Sequence, residues 1–231
     1  MIIKDTELDA LRREIDEIDA RILEGIAART AVVRRVGEAK GGGPILRPGR
    51  EAKVMRALLA GPDTGLPLPV VGRIWRELIA AYCSLQGKLE VAVCAPEKSV
   101  GYWDLARDHF GSATRMSLHK SPTVVLRAVS EGDATVGILP LPQDGEVDPW
   151  WRYMSGDADN MPRVIGRLPF VDNSSARSEG FQAVVVACLP FDASDDDVSW
   201  LVVTTSEQVS RRSLTDHLTA VNIGGRSITS F

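Results

Sequence analysis

Two cations, Arg29 and Lys40, stand on the apolar stripe of a long helical pattern that runs from Thr6 to Lys40. At about 100° per residue, Leu8, Leu11, Ile15, Ile18, Ile22, Ile26, Val33 and Val36 share one narrow arc, and both cations fall inside it. An inward guanidinium or ammonium costs several kcal/mol unless an anion meets it. The acids of this helix, among them Glu14, Asp16, Glu17 and Glu24, mostly point elsewhere. The pattern therefore asks for a small anionic ligand. Arg29 and Lys40 are about 16 Å apart along the axis, so two long side chains leaning toward each other can grip one such molecule. Arg12 lies about 25 Å farther back at the edge of the stripe, where only an antiparallel copy of the helix could bring it to the same ligand. A helical dimer with shared sites follows.

More polar groups enter downstream. The segment PILRPGRE presents Arg47, Arg50 and Glu51, and Gln86 lies one turn beyond Tyr82. Taken singly, an inward cation more often ends in an interhelical salt bridge or snorkels to solvent. Arg13, Arg21, Arg34 and Arg35 read as a solvated face. Gly41, Gly42 and Gly43 are followed by no Gly-Lys-Ser/Thr and preceded by no strand, so they read as a turn and not as a phosphate cradle. His109, His119 and His217 read as surface residues, and Ser99 and Ser121 have no evident base partner. Trp103, Trp150, Trp151 and Trp200 read as packing residues, with the Trp150–Trp151 pair a candidate contact surface.

The elements that must position these residues are three helices. Thr6 can cap the first, which the glycines end near Lys40. A second should run from about Gly49 to Leu59, broken by the cluster from Gly61 to Gly65. A third should run from about Pro67 to Gly87, with Val71, Ile74, Trp75, Leu78, Tyr82 and Leu85 on its apolar face. After Lys88 short β-rich runs alternate with helical segments, among them EVAVCA, TVVLRAVSEG, ATVGILPLP, VIGRLPFV, FQAVVVACLPF and SWLVVTT. Residues 144–161 read as a polar surface excursion. The closing residues read as a helix and the start of another strand. The fold class is α plus α/β, with a three-helix domain over 1–88 that dimerises and an α/β domain over 89–231.

Composition narrows the functional classes. The chain has 231 residues and a net charge of −4, against a general nucleic-acid or membrane-surface role. Up to Lys88 there are 15 Lys and Arg against 12 Asp and Glu, and afterwards 12 against 19, so the helical part is the basic one. Cys83, Cys94 and Cys188 share no metal or redox spacing, and no apolar run reaches the roughly 20 residues that span a bilayer. A cytoplasmic location is expected.

The run ALRREIDEIDARILEGIAARTAVVRRVGEAK, then PILRPGRE, then IWRELIAAYCSLQ resembles the all-helical chorismate mutases over nearly all of Leu8 to Lys88. That family's ordered elements fall here on Arg12, Arg29, Lys40, the pair Arg50 and Glu51, and Gln86. The resemblance implies a Claisen rearrangement of chorismate to prephenate by a homodimer, with no cofactor and no metal. Arg29 and Arg12 of the partner subunit would hold carboxylates, Lys40 and Gln86 would donate to the ether oxygen, and Glu51 would accept from the ring hydroxyl beside Arg50. Two slots depart: Arg47 stands where some members carry Asp, and Tyr82 where some carry Ser. Both are weaker binding candidates.

Farther on, VAVCAPEKSVGYWDLARDHFG and VVLRAVSEGDATVGILPLP resemble the first part of prephenate dehydratase domains. The family's glycine-bracketed turn is replaced by Ala95, Pro96, Glu97, Lys98 and Ser99, and no Thr-Arg-Phe tripeptide occurs. This region reads as degenerate or incomplete. Its alternatives are a working dehydratase, which would make the chain bifunctional, or an amino-acid-sensing or partner-binding module, toward which SWLVVTTSEQVSRRSLTDHLTAVNIGG bears a faint resemblance.

Overall fold

The computed structural model describes residues 5–96, 100–143, 146, 149–156, 158, 160–171, 180–203 and 205–224. They fall into two compact units, one of Met1–Leu46 with Tyr82–Gly87, the other of Arg47–Ala81 with Lys88–Phe231. The first unit is built on α1, Asp5–Lys40, which starts one residue before the expected cap Thr6. At about 1.5 Å per residue its 36 residues reach about 54 Å. Its first half keeps the apolar stripe in the open: Leu11 is 48% exposed, Ile15 57% and Ile22 54%. In its second half Ile26, Arg29, Thr30, Val33, Gly37 and Lys40 are half-buried. Gly41 and Gly42 end the helix at φ +56° and +86°, left-handed values that glycine adopts without penalty.

In the second unit α2 covers Pro48–Leu59, with Pro48 in the first turn where no N–H is needed. Asp63 Oδ1 accepts from the Gly65 N–H at 2.9 Å in the break that follows. The third helix, α3, spans Leu68–Gln86, and its last turn belongs to the first unit. Its packed face is rotated from the expected one. Val71, Ile79, Tyr82 and Cys83 are buried together with Arg76, whereas Ile74 and Leu85 are 45% and 51% exposed. The helix thus carries two apolar strips, and periodicity alone merges them into one.

Five strands form one mixed sheet in the order β2-β1-β3-β5-β4. They are β1 Glu90–Cys94, β2 Arg115–His119, β3 Val136–Pro140, β4 Arg163–Leu168 and β5 Ala183–Ala187. Helices α4, Val100–Phe110, and α5, Pro122–Ser130, make the crossovers that let β1 run parallel to both β2 and β3. β5 is antiparallel to β3 and β4. The central strands β1, β3 and β5 are buried almost throughout, which explains their unbroken apolar runs. A last helix, α6, covers Arg211–Ala220, capped by Ser210 accepting from the Ser213 N–H at 3.1 Å.

Two readings are corrected. The 144–161 stretch is no mere surface excursion: a 3-10 turn at Trp150–Met154 drives the Trp150 indole into the core with Cys94, Val125, Leu139 and Val186. SWLVVTT forms no strand among the described residues, and its Leu201 is 61% exposed. Of the alternating segments, TVVLRAVSEG is a helical one, α5. No helix among the described residues is long and apolar enough to cross a membrane. The sheet core is tight at Gly137, where an added Cβ would meet Val125 Cγ1 at 2.6 Å and Val186 Cγ2 at 2.9 Å. Gly137→Ala is expected to cost about 1–3 kcal/mol by overpacking, measured as a lower urea midpoint at unchanged slope.

Candidate active site

Within the first unit, the end of α1 and the end of α3 bring four of the expected residues together. Lys40 Nζ donates to Gln86 Oε1 at 2.9 Å and to the Pro44 carbonyl at 3.1 Å. An ammonium has only donors, so the amide must turn its oxygen toward Lys40. Gln86 Nε2 accordingly donates to the Tyr82 carbonyl at 3.1 Å. One hydrogen on each nitrogen remains for a further acceptor. Gly37 allows this approach, since a Cβ there would lie 3.2 Å from Gln86 Cγ.

One turn back, the Arg29 guanidinium lies over the Tyr82 ring at 4.4 Å from the centroid. Its Nη1 is buried and makes no hydrogen bond among the described residues. A buried donor in that state favours an anionic acceptor. The Tyr82 hydroxyl donates to the Ile26 carbonyl at 3.3 Å, and Thr30 Oγ1 lies 3.4 Å from the same hydroxyl. The ring is therefore fixed as a floor under the cation. Arg12 sits apart, 65% exposed, in a weak helical ion pair with Asp9 at 3.1 Å.

The second unit holds the remaining candidates. Glu51 Oε2 accepts from Arg76 Nη1 at 3.1 Å, with the Arg76 side chain 6% and the Glu51 side chain 16% exposed. Burial pushes the Glu51 carboxyl above its usual value, and the Arg76 charge pulls back against that shift. Arg76 also lies over the Phe170 ring at 5.0 Å. Arg50 is exposed, and Arg47 is gripped by Asp192, Nη2 to Oδ1 at 3.0 Å.

Sequence reasoning missed Arg76, whose only signal was a cation on the packed face of α3. It also misplaced His109, which lines a small cavity of about 40 Å³ with Arg73, Arg76, Asp108 and Phe170. Desolvation, with help from the Arg76 charge, holds that imidazole neutral. Ser121 Oγ lies 2.6 Å from Thr123 Oγ1, and Glu97, Lys98 and Ser99 lie outside the described residues.

Residues 11–87 match the family model of chorismate mutase type II. An intracellular chorismate mutase of Mycolicibacterium smegmatis is 40% identical over 74 residues, which are 71% of that protein and 29% of this chain. The chain belongs to the type II chorismate mutase family. Bifunctional chorismate mutase/prephenate dehydratases are also similar. The Pseudomonas aeruginosa protein is 30% identical over 147 residues, 61% of this chain and 40% of that protein. The Aquifex aeolicus protein is 31% identical over 145 residues, 58% and 39% respectively. The chain thus spans about 40% of the length of these relatives. No solved structure matches it.

The buried bridge makes a direct test. Arg76→Ala leaves the Glu51 carboxylate without its counter-charge, at an expected cost of about 3–5 kcal/mol at pH 7 by urea unfolding. The bridge needs ionised Glu51, whose value lies above the usual 4.5. Without Arg76 the Glu51 value rises further, so the gap between parent and variant should be full above the variant's value and close as pH falls from there to the parent's.

Proposed function

We propose that this chain is an isomerase, a chorismate mutase that converts chorismate to prephenate, on one carrying observation: the buried Arg29 Nη1, without a hydrogen-bond partner among the described residues, and the Lys40–Gln86 donor pair both meet Tyr82. The substrate is a compact dicarboxylate. Arg29 and Arg12 of the partner subunit bind carboxylates, bidentate where geometry allows, and so hold the conformer in which the reacting carbons approach. As the ether C–O bond breaks, negative charge gathers on its oxygen, and the spare hydrogens of Lys40 and Gln86 stabilise it. Glu51 is the proposed acceptor for the ring hydroxyl, with Arg50 its neighbour in the chain, and Arg47 and Tyr82 are weaker binding candidates. No covalent intermediate and no cofactor is needed.

The working form is a homodimer with shared sites. The open stripe of Leu11, Ile15, Ile18 and Ile22 on α1 supports this, because an apolar strip of that length is costly in water. We place the mutase part at 1–88 and a degenerate dehydratase-like part at 89–231. A cytoplasmic location suits the three free cysteines, of which Cys94 has its thiol pushed up to about 12 by burial.

The test follows chorismate absorbance with the purified chain. Turnover to prephenate is expected, with no phenylpyruvate accumulating, and Lys40→Ala and Gln86→Ala should each lower kcat by about a hundredfold or more. Undiminished turnover in both variants would refute the donor assignment. In sedimentation, the parent should run as a dimer and Ile18→Glu with Ile22→Glu as a monomer that no longer turns over.

A further inference from the structure

Helix α2 lacks a capping side chain of its own. Arg47 stands at its N-cap and offers no acceptor to the first turn. The acceptor comes from far along the chain: Asp192 Oδ2 takes the Gly49 N–H at 3.0 Å and the Arg50 N–H at 3.3 Å. The same carboxylate binds Arg47 through Nη2 at 3.0 Å and Nε at 3.3 Å. Its side chain is only 18% exposed.

The segment around Asp192 lies along α2 as a strap. A Cβ on Gly49 would meet the Asp192 carbonyl oxygen at 2.2 Å and the Ala193 carbonyl oxygen at 2.6 Å, so only glycine admits this backbone contact. Arg56 donates to the Ser194 carbonyl at 2.7 Å and to the Asp196 carbonyl at 2.9 Å. Lys53 pairs with Asp195 at 2.8 Å. Ser194 is 5% exposed and donates from Oγ to Asp197 at 2.6 Å.

We propose that Asp192 is a positioning residue for the mutase reaction, a carboxylate supplied from beyond the sheet that caps α2 and sets the direction of Arg50 and Glu51. The proposal rests on the chorismate mutase reading. The cation at position 47 thereby recruits an acid to the start of α2. Arg50 takes its backbone direction from the N–H held by Asp192. Glu51 follows in the same turn, its N–H bonded to the Arg47 carbonyl at 2.8 Å. The charged groups acting on the Glu51 carboxylate are Arg76 from α3 and Asp192 from the strap, Arg76 lowering its protonation and Asp192 raising it. Removing the Asp192 charge while keeping its oxygen acceptor should ease Glu51 ionisation.

The test uses the full chain. Asp192→Ala should raise KM more than it lowers kcat, with kcat/KM down about tenfold to a hundredfold, and should speed hydrogen exchange at the Gly49 and Arg50 amides. Asp192→Asn should shift the acid limb of kcat/KM to lower pH, a change that a purely structural role would not produce. Asp195→Asn, in the same strap and 77% exposed, should match the parent. Parent-like kinetics and amide exchange in Asp192→Ala would overturn the proposal, as would an unmoved acid limb in Asp192→Asn. Absence of chorismate turnover by the parent would instead sink the mutase reading, and the amide exchange would still report on the cap.

Discussion

An ammonium nitrogen can donate hydrogen bonds and accept none, and the end of the first unit is organised by that asymmetry. Lys40 claims the oxygen of the Gln86 amide, and the amide nitrogen is thereby turned to the Tyr82 carbonyl. Tyr82 in turn spreads its ring beneath Arg29. Lys40 orients the amide, and the hydroxyl of Tyr82 on the Ile26 carbonyl holds the ring. A side-chain-free position at Gly37 supplies the close approach that the series requires.

Arg29 and Lys40 are treated differently from the cations of the second unit. In the second, Arg47, Arg73 and Arg76 each meet a carboxylate within 3.1 Å, on Asp192, Asp108 and Glu51. In the first, Arg29 rests on an aromatic face and Lys40 on two neutral oxygens. Neither meets a carboxylate among the described residues. Preorganised, uncancelled cations in a partly dry setting are what a dianionic molecule with a developing oxyanion needs.

The three helices were legible to within a residue or two because their ends carry strong punctuation: three glycines after Lys40, Pro48, and the Gly61–Gly65 cluster. The central strands were legible as buried apolar runs. β2 was not, since its Arg115, Ser117 and His119 sit on a sheet edge where water relaxes the pattern. Trp150 was expected to pack, but the stretch around it was misread as surface because its neighbours are polar, and only the 3-10 turn shows which way the indole faces. At the site, Arg29 with Lys40 could be read from their place on the helix. Their contacts with Tyr82 and Gln86, 46 or more residues away, could only be expected from kinship. Asp192 was invisible, because a run of acids near residue 195 looks like solvated loop and nothing local points to α2.

The Arg47–Asp192 pair spans 145 positions, and its sign logic reaches beyond this molecule. Neither residue can reverse its charge alone without setting like against like at the start of a helix. The two positions can therefore drift only in concert. Through that pair, natural selection on the helix also sees the stretch that follows the last strand of the sheet.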